Sequence, residues 1–276
     1  MDQSCAINQV QCSNDDKQLI ASCAAKRIAC VMRQGKKAWV KRQGIERRPF
    51  GKRLHASLSF LLPAAFMRAS PVRNAIEMNL QEERKIKAFQ AAHIPVPQIL
   101  AVDGPAIMIS DVGQTVQKRL DELRKSDTKK HDALLVECAH ALGKVHESGL
   151  VHGRPHPRDM FMSKDGLGFF DFEEEPEAVM PLSDAQARDA WLLFFQISSQ
   201  AIDKDVTQNA AFAAWKACVS AETLRELRKI VRFFSIFITP LKLAKPIYLG
   251  GDGKRMLSAM EFLSSNLKNR QKHERD

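Results

Sequence analysis

No stretch of this sequence approaches the roughly 20 consecutive apolar residues that a membrane-spanning helix requires. The longest candidates, Leu58 to Met67 and Phe233 to Leu241, are interrupted by Pro63 and Pro240, so a spanning segment is not expected. The six cysteines include no CxxC pair, which leaves a zinc or dithiol redox site without local support. The opening MDQSC has no apolar run behind it; no secretory leader is expected, and the thiols read as reduced, in the cytosol. Glycine is scarce at the start. The first is Gly35, so no G-x-G-x-x-G loop signals a phosphate-cradling turn ahead of the first strands. A single tyrosine and the lack of any recognisable module argue against specific nucleic-acid recognition.

What is present is ordinary in bulk and uneven in charge. Apolar residues make up 45% and charged residues 27% of 276, enough for one large domain or a two-lobed one. Lys and Arg number 42 against 32 Asp and Glu, a net charge of +10 that favours polyanions such as nucleotides, phosphorylated sugars or anionic headgroups.

Along the chain, residues 1–25 have weak periodicity and read as a loosely ordered extension. Arg27 to Met32 and Lys37 to Arg42 read as strands around a Gln34-Gly35 hairpin turn. A helix is expected over Asn79 to Ala92, with Leu80, Ile86 and Phe89 in the core, ended by Pro95 and Pro97. Gln98 to Val102 and Ala106 to Ser110 read as a second strand pair about Asp103-Gly104. After Gly113 the pattern is mainly helical, at 115–124, 131–147, 184–202, 208–219, 221–238 and 253–267. Strands first and helices after argue an α+β fold, with a strand-rich part over 26–113 and a helical part over 114–276.

The most informative block is 146–173, HESGLVHGRPHPRDMFMSKDGLGFFDFE. A helix end at Gly149 leads through a His-Gly turn into a basic loop ending at Asp159. Two short strand-like pieces follow, Met160 to Met162 and Gly168 to Phe170, and Asp171 sits just past them. This layout resembles the catalytic segment of the protein-kinase-like superfamily. Within it the bacterial lipopolysaccharide (Kdo/heptose) sugar kinases and the RIO and aminoglycoside phosphotransferase branches read HGDLHPxN, a hairpin, and an apolar strand into Asp.

The resemblance implies a bilobal protein-kinase-like fold with a small strand-rich N-lobe and a larger helical C-lobe, ATP and Mg2+ as cofactors, and a sugar or glycolipid hydroxyl as acceptor. By position in that pattern, Asp171 and Asp159 would hold metal, Asp159 standing where the family has Asn. Lys41, in AWVKRQ, would anchor phosphate, and Glu82, in QEERKIKAF, would orient it. Ser110, in the hinge-like MISDVG, would lie beside the nucleotide, His152 would brace the loop, and Asp189, in RDAW, would support it from beneath. Read from composition alone, Lys41 belongs to a solvated basic strand and Glu82 to an ordinary amphipathic helix, while Asp159 is an ion-pair partner of Arg158 or Arg154 and Asp171 a turn cap.

One position departs from the pattern. Arg154 stands where the family places its base, and arginine stays protonated at any working pH. Two readings stay open: a phosphotransferase in which Arg154 holds a phosphate or anionic acceptor while His156 or Asp159 substitutes as base, and a pseudokinase that binds nucleotide or a partner without transfer. Separately, nine Lys or Arg between Arg33 and Arg53 face Glu46 alone and lead into an apolar stretch. The segment 47–69 therefore reads either as a lobe-packing helix with a basic edge or as a contact to an anionic membrane surface. The family's lipopolysaccharide kinases work at the cytoplasmic face of the inner membrane, so the expected location is the cytoplasm, with peripheral association at that face as the alternative.

Overall fold

A computed structural model describes residues 12–44, 68, 71, 73–244 and 251–268. The segment 47–69, apart from Arg68, and residues 1–11 lie outside the described residues. The fold is a mixed α+β arrangement built on a four-stranded antiparallel sheet. Its strands β1 (Ile28–Arg33), β2 (Lys36–Arg42), β3 (Ile99–Asp103) and β4 (Ala106–Ser110) lie in the order β1-β2-β4-β3. The β1–β2 turn places Gln34 and Gly35 at φ 49° and 74°, left-handed values that match the twist of a two-residue hairpin.

Residues 14–22, expected to be loosely ordered, form a helix instead, α1 (Asn14–Ser22). The Ser13 hydroxyl caps it by accepting from the Asp16 amide. Asp16 then takes a forked pair of hydrogen bonds from Arg33, at 2.6 and 3.1 Å. Ile20 packs with Ala38, Val40, Ala101 and Met108 to cover one face of the sheet. Nine residues with a single deeply buried isoleucine give almost no periodic signal, which is why the sequence hides this helix.

The other face of the sheet receives α2 (Ala75–Ala91). It starts four residues earlier than its periodicity suggests, because Asn74 and Glu77 form a reciprocal capping box. Ile86 and Phe89 are buried as expected, whereas Leu80 is 47% exposed. The inward stripe at that end holds Asn79 and Glu82 instead. Asn79 donates to the carbonyls of Gly104 and Ala106 in the β3–β4 turn.

Helices α3 (Val116–Ser126), α4 (Thr128–Glu147), α5 (Leu182–Gln200), α6 (Lys204–Lys216), α7 (Ala221–Ala244) and α8 (Gly251–Lys268) build the rest. Between α4 and α5 lies a two-stranded hairpin, β5 (Met160–Ser163) and β6 (Gly166–Phe169). The main core runs without a break from Ile86, Phe89 and Ile107 through Phe169 and Phe172 to Phe194 and Trp215. Among the described residues no helix is long and apolar enough to cross a membrane.

Phe89 joins the sheet-side helix to the hairpin, its ring 4.6 Å from Phe172 and 6.0 Å from Phe169. Phe89→Ala should lower the unfolding free energy by about 3–5 kcal/mol, read as a reduced urea midpoint at unchanged slope.

Candidate functional site

The alternation of β2 sets up the site. Ala38 and Val40 turn to the α1 side, so Lys41 turns to the α2 side. In register it lies between Ile28 of β1 and Ile107 of β4, and it is only 5% exposed. A lone buried ammonium is costly, and the surrounding carboxylates answer that cost. Lys41 Nζ lies 3.1 Å from Glu82 Oε1 on α2, 2.5 Å from Asp171 Oδ1 just past β6, and 3.3 Å from Glu173 Oε1. Burial alone would lower the pKa of this amine; the three carboxylates outweigh it and hold it raised. Glu82, more deeply buried, is pushed upward by desolvation against the pull of Lys41. Its second oxygen accepts from Gln43 at 3.2 Å. Its sequence neighbour Glu83 pairs with Lys87 one helical turn on, so only Glu82 reaches the lysine.

The loop beneath is held by Asp189 of α5, fully buried. Its carboxylate accepts from the backbone amides of His152, at 2.7 Å, and Gly153, at 3.0 Å. Burial pushes this carboxyl up, but His146, His152 and the loop amides outweigh that and keep it below the usual carboxylate range. Gly153 is required at its position: φ is 107°, and a β-carbon there would stand 2.5 Å from the Glu174 carbonyl oxygen. The buried His152 ring meets the Phe170 carbonyl through Nε2 at 3.1 Å and packs against Phe169 and Phe172. Desolvation, ahead of any charge effect, holds its pKa down.

Asp171 adopts φ 69°, a left-handed conformation that Asp tolerates better than most residues. The kink sends consecutive side chains apart, Asp171 to Lys41 and Phe172 into the core. Burial raises the Asp171 carboxyl and Lys41 lowers it, with a net lowering. Asp159 ends a short 3-10 turn, Pro157–Asp159, with Arg158 Nε at 3.5 Å. Desolvation first, and the charge of Asp171 second, push its pKa up to about 6.

Of the other expected site residues, Arg154 is exposed and near enough to lower the pKa of both Asp159 and Asp171. His156 is occupied differently from expectation. Its Nδ1 accepts from the Arg158 amide at 3.0 Å, and the ring also hydrogen-bonds Gln196. Burial and the adjacent Arg158 and Arg154 cations lower its pKa to about 4, which makes it a weak base. Ser110 closes the end of the sheet: its amide donates to the Gln98 carbonyl and its hydroxyl accepts from the Gln98 amide, both at 2.9 Å.

Of the acidic run DFEEEPE, 171–177, only Asp171 was read in the sequence, and the charges of the other four acids are spread over several elements. Glu173 pairs with Arg27 as well as Lys41, Glu174 with Arg188, Glu175 with Arg73 and Arg84, and Glu177 with Lys85. Lys85 also donates to the carbonyls of His152 and Glu174. Five acids in seven residues beside an otherwise basic chain were the available signal.

A divalent cation fits this donor set. Asp159 and Asp171 repel one another, a cation between them would relieve that, and carboxylate oxygen suits magnesium. Among the described residues no group of three or more His, Cys, Asp or Glu could hold a metal ion, so these two carboxylates by themselves would not complete a metal's shell.

No family model and no curated protein matches the sequence. Among solved structures, a MAP kinase from Leishmania major is similar over 92% of this chain and 87% of its own, at 14% identity and a TM-score of 0.36. A likeness that slight supports neither a fold assignment nor an activity.

Because Asp159 titrates near pH 6 instead of near 3.8, its charged form weakens the native state above that pH, and the weakening is relieved as pH falls through 6 toward 4. Asp159→Asn should therefore gain stability over the parent at pH 8, by about 2 kcal/mol, and lose that advantage by pH 4. Parallel urea titrations across this range measure it.

Proposed function

We infer that this chain is a protein-kinase-like protein that binds a magnesium nucleotide beside Lys41 and transfers a phosphoryl group to a sugar hydroxyl of the lipopolysaccharide-core kind. One observation carries the reading: Lys41, Glu82 and Asp171, far apart in sequence, meet within 3.1 Å contacts. A buried ammonium oriented by a helix glutamate and adjoining a metal-suited carboxylate is the set that positions nucleotide phosphates.

In this reading Lys41 holds phosphate oxygens, Glu82 keeps the amine in place, and Asp171 with Asp159 holds the metal. A bound magnesium would neutralise phosphate charge as it shifts toward the leaving oxygen. If Asp171 alone holds the metal, Asp159 would be free to take up the acceptor's proton in its place. Arg154 meets the anionic acceptor or the transferred group. The sugar class of the acceptor rests on the HGRPHPRD resemblance, and with it a position at the cytoplasmic face of a membrane.

A second reading, nucleotide or partner binding without transfer, is favoured by Arg154 itself, which cannot accept a proton. Thermal shift with Mg-ATP and a transfer assay with labelled ATP and candidate glycolipids separate the two. Transfer that drops at least a hundredfold in Asp171→Ala supports the enzyme, and stabilisation by Mg-ATP with no transfer to any acceptor supports the binding module. Transfer unchanged in Asp171→Ala overturns the assigned site.

A further inference from the structure

An ammonium group has three N–H donors, and in Lys41 all three have a carboxylate within reach: Glu82, Asp171 and Glu173. A phosphate oxygen can engage this amine only by displacing one of them. The three are not equally held. Glu82 has a side chain 2% exposed and a second bond from Gln43. Asp171 makes the shortest contact, at 2.5 Å, and its backbone is fixed between the buried Phe172 and β6. Glu173 has the longest contact, 3.3 Å, and it is this length and its second cation that single it out, since its side chain, 28% exposed, is no more open than that of Asp171 at 30%. It also has a waiting partner, since Arg27 at the foot of β1 pairs with the same Oε1 atom.

We propose that Glu173 is the affinity-setting residue of this site: its carboxylate occupies the phosphate seat on Lys41 and retires to Arg27 when a polyphosphate ligand arrives. The proposal rests on the reading of Lys41 as a phosphate anchor. It goes further by assigning two residues, Glu173 and Arg27, to a competition that decides how tightly phosphate is held. The exchange needs little motion, because one oxygen already serves both cations. It also makes the site selective for ligands with enough negative charge to displace a carboxylate. Nucleoside without phosphate gains nothing from it.

The sign of the effect separates this role from a structural one. Removing an ion-pair partner whose role is purely structural weakens binding, whereas removing a competitor strengthens it. Calorimetric titration of the full chain with Mg-ADP, Mg-tripolyphosphate and adenosine tests this in the parent, Glu173→Gln, Glu173→Ala and Arg27→Ala. Both Glu173 variants should bind the two polyphosphates about tenfold more tightly, with adenosine unchanged. Arg27→Ala should bind them severalfold more weakly, and that loss should vanish when it is combined with Glu173→Gln. Polyphosphate affinity that is equal or weaker in both Glu173 variants, while the parent binds Mg-ADP, overturns the proposal and leaves the phosphate anchor standing. No binding of any polyphosphate to parent or variants overturns both.

Discussion

The buried ammonium of Lys41 is the constraint around which this structure is arranged. Removing a charge from water is unfavourable unless partners surround it, and β2 cannot supply those partners, since its neighbours in register are Ile28 and Ile107. They come instead from α2, through Glu82, and from the turn after β6, through Asp171 and Glu173. Satisfying one lysine thus fixes where a helix and a distant loop sit against the sheet. The same contacts set one buried cation among three carboxylates.

The loop that carries Asp159 is held from the opposite side by Asp189, whose oxygens take the amides of His152 and Gly153. These two amides belong to a turn with no regular backbone partner, and a buried amide left unpaired is costly. Gly153 permits the close pass over Glu174, and His152 fills the space above Phe169 and Phe172. The site is therefore framed by two acidic anchors of different kinds: Glu82 orients a side chain, and Asp189 orients backbone.

Much of this was legible in the sequence where local chemistry dictates local shape. The Gln34-Gly35 hairpin, the strand pair about Asp103-Gly104 and the β5–β6 hairpin follow from turn residues and alternation. Glu82 could be separated from Glu83 only through spacing relative to Pro95, and the structure brings Glu82 to Lys41. What was not legible depends on partners remote in sequence. α1 is held by Arg33 and the sheet, not by its own periodicity. Leu80 looks like a core residue, but the stripe it would share is given to Asn79 and Glu82, whose burial is offset by hydrogen bonds. His156 reads as a substitute base in sequence, but its ring is engaged as a turn cap once Arg158 and Gln196 are beside it. The acidic run 173–177 carries no periodicity at all, and its meaning lies in the arginines and lysines it meets.

The left-handed kink at Asp171 ties two environments into one hinge. Because Phe172 is wedged between Phe89 and His152, Asp171 cannot travel far without pulling an aromatic ring out of the interior. The position of the carboxylate that meets Lys41 is in this way tied to the packing of an aromatic cluster on the far side of the same peptide unit.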